Sequence, residues 1–194
     1  LDRILLCLPV ALQISDSSIQ SFLFNSRQAA GRQGDAGTEL ERQFGPIVHD
    51  PAAQRRLLRV ARQLATCHAA SHRELHCVLL ASEEPNAFSL SSGTVYVTRG
   101  LYSRLETDGL LAAVLAHELG HISAQDSLRP CPSAAHQLHR ELAADRQAVR
   151  ILQDSAFDPR TLAEALLAVR DFQPPSWREA RLNNLRILMP TKIP

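Results

Sequence analysis

Two imidazoles and a carboxylate stand within five residues of this chain, in His117-Glu118-Leu119-Gly120-His121. Residues four apart on an α-helix share a face, so His117 and His121 are placed to reach one metal ion. A catalytic zinc accepts imidazole nitrogen at about 2.0–2.1 Å and keeps one position open for water. Glu118, between the two, is placed to take a proton from that water rather than to bind the ion. The chemistry this spacing points to is hydrolysis, with one Zn2+ per chain. A catalytic zinc usually has three protein ligands, and Glu141-Leu142-Ala143-Ala144-Asp145 follows, with nineteen residues between His121 and Glu141. That interval is room for a turn and a returning antiparallel helix. Glu141 is the expected third ligand. Asp145, one helical turn on, is expected to hydrogen-bond a ligand imidazole and fix its tautomer. His136 and His139 are the rival third ligands, since histidine is the commonest metal ligand, but neither carries a partner like Asp145. His49, His68, His72 and His76 show no metal-like grouping and read as structural or solvent-exposed.

These residues need helices, and the pattern supplies them. A polar stretch becomes helical over residues 38–44, and Pro51 opens a helix that buries Ala53, Leu57, Leu58, Val60, Ala61 and Leu64. Thr107 caps the helix carrying the first motif, with Leu110, Leu111, Val114, Leu115, Leu119 and Ile122 apolar. Gly120 inside that helix costs roughly 1 kcal/mol against alanine, which implies a close neighbour there. Residues 134–153 read as a long helix carrying Glu141. Another follows Asp158-Pro159 to about Val169, and a last one runs from Pro174-Pro175 to about Leu188. Residues 75–81 and 94–98 read as strands of one short sheet, the second alternating at period two and rich in β-branched residues. The expected class is α+β: one mostly helical domain with a small sheet.

Composition bounds the partners. The chain has 194 residues, 45% hydrophobic, with a formal net charge of +1, which suits one compact domain. No Lys/Arg run offers an electrostatic footprint for nucleic acid. Nothing approaches the roughly 18 to 20 continuous apolar residues of a spanning helix, which leaves only peripheral association with a membrane. Residues 4–12 are apolar, follow Arg3 and resemble the core of a secretory signal without a clear cleavage site. Residues 1–25 therefore read as a signal remnant or pro-segment, and residues 26–194 as the working domain. Cys7, Cys67, Cys77 and Cys131 are too scattered for a zinc ribbon or a Cys-x-x-Cys pair. Disulfides among them require an oxidising compartment.

With these motifs in hand, the chain resembles the HtpX-like metallopeptidases of the gluzincin type, which include the CAAX prenyl protease and soluble periplasmic quality-control peptidases. The likeness runs over residues 26–188. It is carried by Glu39-Leu-Glu-Arg-Gln-Phe-Gly45, Asp50-Pro51, Asn86-Ala87-Phe88, Gly93-Thr-Val-Tyr-Val-Thr-Arg-Gly-Leu101, the two metal motifs and Phe157-Asp158-Pro159. The resemblance implies a zincin-like fold, a zinc endopeptidase acting on unfolded or damaged proteins, and a periplasmic or otherwise exported location. The connection between the metal motifs is shorter than in many relatives, and Ser91-Ser92-Gly93 departs from the usual small-residue pair. The family's C-terminal His-Pro followed by Arg is represented by residues 173–181, which hold no histidine. The resemblance assigns the arginine's part, contact with substrate or oxyanion, to Arg181 or Arg178.

Three further residues are expected to meet substrate. An extended peptide needs main-chain partners, and residues 93–97 are expected to form an exposed edge strand offering them, at Gly93 and Val95 in particular. Asn86 is expected to hydrogen-bond substrate backbone with its amide. A zinc-binding chaperone-like protein and a latent zymogen shielded by residues 1–25 are the alternative readings.

Overall fold

The computed structural model describes residues 4–6, 33–67, 75–90, 92–124, 133–168 and 174–189. Within them the strands are β1 (Ile4–Leu6), β2 (His76–Leu80), β3 (Ala87–Leu90) and β4 (Thr94–Thr98). The helices are α1 (Gln33–Phe44), α2 (Pro51–Cys67), α3 (Arg99–Tyr102), α4 (Asp108–Ala124), α5 (Ala134–Asp154), α6 (Thr161–Ala168) and α7 (Pro175–Leu188). This is the expected α+β class. Cys7, Cys131, His68 and His72, and most of residues 1–25, lie outside the described residues.

Helix starts follow local chemistry. Asp50 Oδ1 accepts from the amides of Ala52 and Ala53 at 2.8 and 3.1 Å, with Pro51 at the first position of α2, where its missing N–H is no loss. Thr107 Oγ1 accepts from Leu110 N at 3.2 Å and caps α4, as its sequence position implies. Ser133 does the same for α5. Arg56 of α2 donates to Asp108 Oδ1 at 2.9 Å, tying the start of α4 to its neighbour.

The sheet is mixed, in the order β1-β3-β4-β2. β3 and β4 form an antiparallel hairpin, β4 pairs parallel with β2, and β1 pairs antiparallel with β3. Both faces are covered. Val95, Val97, Ala87 and Leu79 point into the main core with α2 and α4, while Tyr96, Phe88, Leu80 and Leu90 join Leu40 and Phe44 of α1. Period-two alternation in β4 therefore separates two buried layers, not a core face from a solvent face.

That packing corrects the expectation of an edge strand at residues 93–97. β4 is interior: Val95 pairs with Cys77 on one side and Ser89 on the other, and is fully buried. Gly93, at φ +98°, closes the hairpin, its N–H donating to Leu90 O at 3.0 Å and its carbonyl accepting from His76 N at 3.1 Å. Neither residue keeps a free main-chain group for substrate. Asn86 is buried, with its N–H on Thr98 Oγ1 (2.8 Å) and its carbonyl on Thr98 N (3.0 Å). Its Oδ1 accepts from Ala87 N at 3.0 Å, so this side chain organises the entry to β3. Period two is the same for edge and interior strands, which is why the pattern misled.

The helix carrying the first motif is central. α4 packs against α2, α5, α6 and β3, and its residues from Leu111 to His121, Val114 excepted, are buried. A helix apolar nearly all round is an interior helix. It reads as amphipathic in sequence only if the alanines are ignored.

Candidate metal centre

Three side chains from two helices converge. His117 and His121 of α4 and Glu141 of α5 each offer a ligand atom, all within 4.8 Å of one another and all buried. The α-helical repeat puts the two imidazoles on one side of α4, with His117 Nε2 and His121 Nε2 3.2 Å apart. Glu141 Oε2 lies 3.4 Å from His117 Nε2, and Oε1 lies 3.5 Å from His121 Nε2. Ligands about 2.0–2.1 Å from a tetrahedral zinc stand about 3.3–3.4 Å apart. The spacings lie near that value, with Glu141 meeting one histidine through each oxygen, and two imidazole nitrogens with one carboxylate are donors that zinc accepts.

The close crossing of α4 and α5 makes this possible. A Cβ at Gly120 would lie 2.7 Å from Ala144 O and 3.0 Å from Ala144 Cα, both backbone atoms of α5. Glycine lets the helices approach there, one turn from Glu141. The conformational cost noted in the sequence thus has its reason in packing.

The charges fit a cation. Glu118, Glu141 and Asp145 are buried, as are His117, His121 and Arg181. Arg181 faces the carboxylates of both Glu141 and Asp145, so carboxylates outnumber guanidinium groups in the cluster, an imbalance that a cation relieves. Glu118 Oε2 is buried without a hydrogen bond. Such an orphaned acceptor is costly unless something else satisfies it, and a metal-bound water would do so.

Asp145 Oδ1 lies 3.0 Å from His117 Nδ1. That contact holds the proton on Nδ1 and directs the Nε2 lone pair toward Glu141 and His121. Arg181 of α7 forks onto Asp145, Nε to Oδ2 at 2.9 Å and Nη2 to Oδ1 at 2.7 Å. Its Nη1 is 3.1 Å from Glu141 Oε2. The guanidinium is buried and braces Asp145 and Glu141, a contact that the sequence did not foretell beside the substrate or oxyanion part assigned to this residue. No local pattern marks this pair, since Arg181 stands 36 positions beyond Asp145.

The same contacts set proton affinities in the metal-free cluster. Burial and the Arg181 charge push His117 down, but Asp145 and Glu141 outweigh them and raise it to about 9. Burial pushes Glu141 up, yet the hydrogen bond to His117 and the Arg181 charge hold it below the usual carboxylate range. Asp145, also opposed by burial, is held far lower by Arg181 and His117.

His136 and His139 are exposed and lie outside the cluster, with His136 Nδ1 2.7 Å from the capping Ser133 Oγ. His49 and His76 are exposed as well. Cys77 is buried, and burial pushes its thiol up to about 12, which makes it inert. Among the described helices none is long and apolar enough to cross a membrane.

Comparison with known proteins agrees with this geometry. Residues 51–138 match the model of "Peptidase family M48", a stretch that includes His117, Glu118 and His121 and ends before Glu141. The chain is similar to the "Beta-barrel assembly-enhancing protease" of Escherichia coli (strain K12), 22% identical over 181 residues, covering 72% of this chain and 37% of that one. It is also similar to the protein of that name from Yersinia pestis, 26% identical over 90 residues, covering 46% of this chain and 18% of the relative. It thus spans well under half the length of these curated relatives. Residues 51–138 thus resemble a peptidase family M48 domain, and the His-His-Glu cluster joins two histidines of that stretch to Glu141 beyond it.

Proposed function

We propose that this chain is a zinc-dependent endopeptidase that hydrolyses peptide bonds of unfolded or damaged proteins, with residues 26–194 as its catalytic domain. The observation that carries the reading is the buried triangle of His117, His121 and Glu141, with Glu118 buried on the same helix turn as His117. Zinc, when bound there, supplies a Lewis acid that polarises the scissile carbonyl. His117, His121 and Glu141 hold it, and Asp145 and Arg181 fix the orientation of His117 and Glu141. Glu118 takes a proton from the attacking water and passes it to the leaving amine as the C–N bond breaks. A pure binding module has no use for that buried base, which weighs against a chaperone-like role. The chain's similarity to relatives named as proteases supports peptide substrates, and its resemblance to periplasmic family members supports an exported setting.

The test is casein cleavage by zinc-loaded wild type and Glu118→Gln. The variant keeps the shape of the side chain and removes the base, so turnover is expected to fall by at least a hundredfold while the fold is retained. Equal turnover in the two proteins would overturn the role of Glu118. No turnover in wild type would overturn the peptidase reading itself.

A further inference from the structure

One apolar residue of α4 does not share the burial of its neighbours. From Leu111 to His121 only Val114 stays partly open, and Leu110, one turn before it, is partly open as well. At about 100° per residue, Val114 points within about 20° of His121 and about 40° of Glu118 when viewed down the helix axis. The helices packed on α4 arrive from other directions. Gly120, which meets Ala144 of α5, faces about 120° away from Val114, and Gly109, which meets Thr161 of α6, about 140° away on the same side. Asp108, held by Arg56 of α2, faces about 120° away on the other side. The open side of Val114 is therefore the side on which His121 and Glu118 stand.

We infer that Val114, with Leu110 behind it, floors a pocket that receives the side chain of the substrate residue giving up its amine, and that this floor selects a medium-sized aliphatic side chain there. The inference rests on the peptidase reading above and adds a specificity to it. In that reading Glu118 hands its proton to the leaving amine, so the residue carrying that amine lies nearest Glu118. Side chains on a helix lean toward its N-terminus, which tilts the Glu118 carboxylate toward the turn that carries Val114, four residues back. Val114 stands about 6 Å down the axis from Glu118, a depth that a leucine-sized side chain spans and a methyl group does not. Its branched side chain is held in one rotamer in a helix, so the floor is fixed. Neither Val114 nor Leu110 offers a polar partner. A charged side chain placed there loses water without compensation, whereas an aliphatic one gains by burial.

The test uses zinc-loaded full chain and two succinyl hydroxamates that grip the metal and differ in one side chain, methyl or isobutyl. That side chain stands on the carbon that mimics the residue beyond the scissile bond. Titration calorimetry, which needs no turnover, is expected to give wild type at least tenfold higher affinity for the isobutyl compound. Val114→Phe raises the floor and is expected to abolish that preference. Val114→Ala lowers it and is expected to shift the preference to a third compound bearing cyclohexylmethyl. Zinc content is expected to match wild type in both, since Val114 is no ligand. Equal affinity of wild type for the methyl and isobutyl compounds, or no binding of either, would overturn the inference. An unchanged preference in a folded variant would overturn it too, and Val114→Ala, a small truncation at a partly open position, decides the matter where Val114→Phe does not fold. Isobutyl preference with no casein cleavage would defeat the proposed function and leave this inference standing. Casein cleavage by a wild type indifferent to the side chain would do the reverse.

Discussion

Replacing Gly120 by alanine sets two physical effects against each other at the centre of the site. Alanine in a helix interior is favoured over glycine by roughly 1 kcal/mol. The added Cβ, however, would stand 2.7 Å from Ala144 O, about 0.7 Å short of ordinary 3.4 Å contact, and 3.0 and 3.2 Å from Ala144 Cα and C. All three are backbone atoms, so no side chain can swing aside and the helices α4 and α5 must part. Overpacking of this kind costs about 1–3 kcal/mol, which leaves a net loss of about 0–2 kcal/mol in the metal-free protein. For a chain of this size, 2 kcal/mol corresponds to a fall in Tm of roughly 4–8 °C. The larger effect falls on the metal. Ala144 lies one turn from Glu141, and a shift of several tenths of an ångström is large against a bond of about 2 Å. A loss of 10- to 100-fold in zinc affinity is expected, the range seen when ligand orientation is disturbed. The assay is thermal melting with chelator present, combined with competitive zinc titration. A Gly120→Ala protein at least as stable as wild type with unchanged zinc affinity would refute the close-approach argument.

Other consequences are independent of that one. Ala156 ends α5 at φ +58°, exposed, where a Cβ is strained; Ala156→Gly is expected to stabilise the protein by about 0.5–1 kcal/mol with activity unchanged, and an unchanged or lower Tm would count against it. Arg181→Ala leaves the buried Asp145 charge without its guanidinium, so a loss of about 3–5 kcal/mol in stability is expected together with weaker zinc binding. If Arg181→Ala kept full stability and zinc and lost only turnover, the residue would be a substrate contact after all. Zinc ligation needs a neutral imidazole, whereas Asp145 and Glu141 keep metal-free His117 charged up to about pH 9 in spite of burial. Loading at pH 7 is therefore expected to release about one proton per zinc, and apparent affinity should rise roughly tenfold from pH 7 to 8. Titration calorimetry in two buffers of different ionisation enthalpy measures this, and zero release would contradict it.

What could be read from the chain depended on how local the encoding was. His117 and His121 are spaced by one helical turn, and Glu141 and Asp145 by another, so helix geometry alone placed each pair on a face. The meeting of the pairs was also readable, because Gly120 announced a close neighbour before that neighbour was known. Strand identity was local too, but strand order was not: Thr94–Thr98 looks the same at an edge or inside a sheet. β3 was missed as a strand, since Ala87–Leu90 is only four residues long and offers no alternation of polar and apolar faces, all four being buried. β1 lay concealed in an apolar run that reads equally well as a secretory core. Arg181 was singled out only through the family resemblance, and its clamp on Asp145 has no local signal in the sequence.

The central claim is that His117, His121 and Glu141 hold one zinc while Glu118 stands free of it. Its most direct test is metal content by mass spectrometry after exhaustive dialysis, in wild type, Glu118→Gln, Glu141→Ala and His139→Ala. One zinc per chain is expected in wild type, Glu118→Gln and His139→Ala, and almost none in Glu141→Ala. Full zinc retained by Glu141→Ala, or zinc lost from His139→Ala, would contradict it.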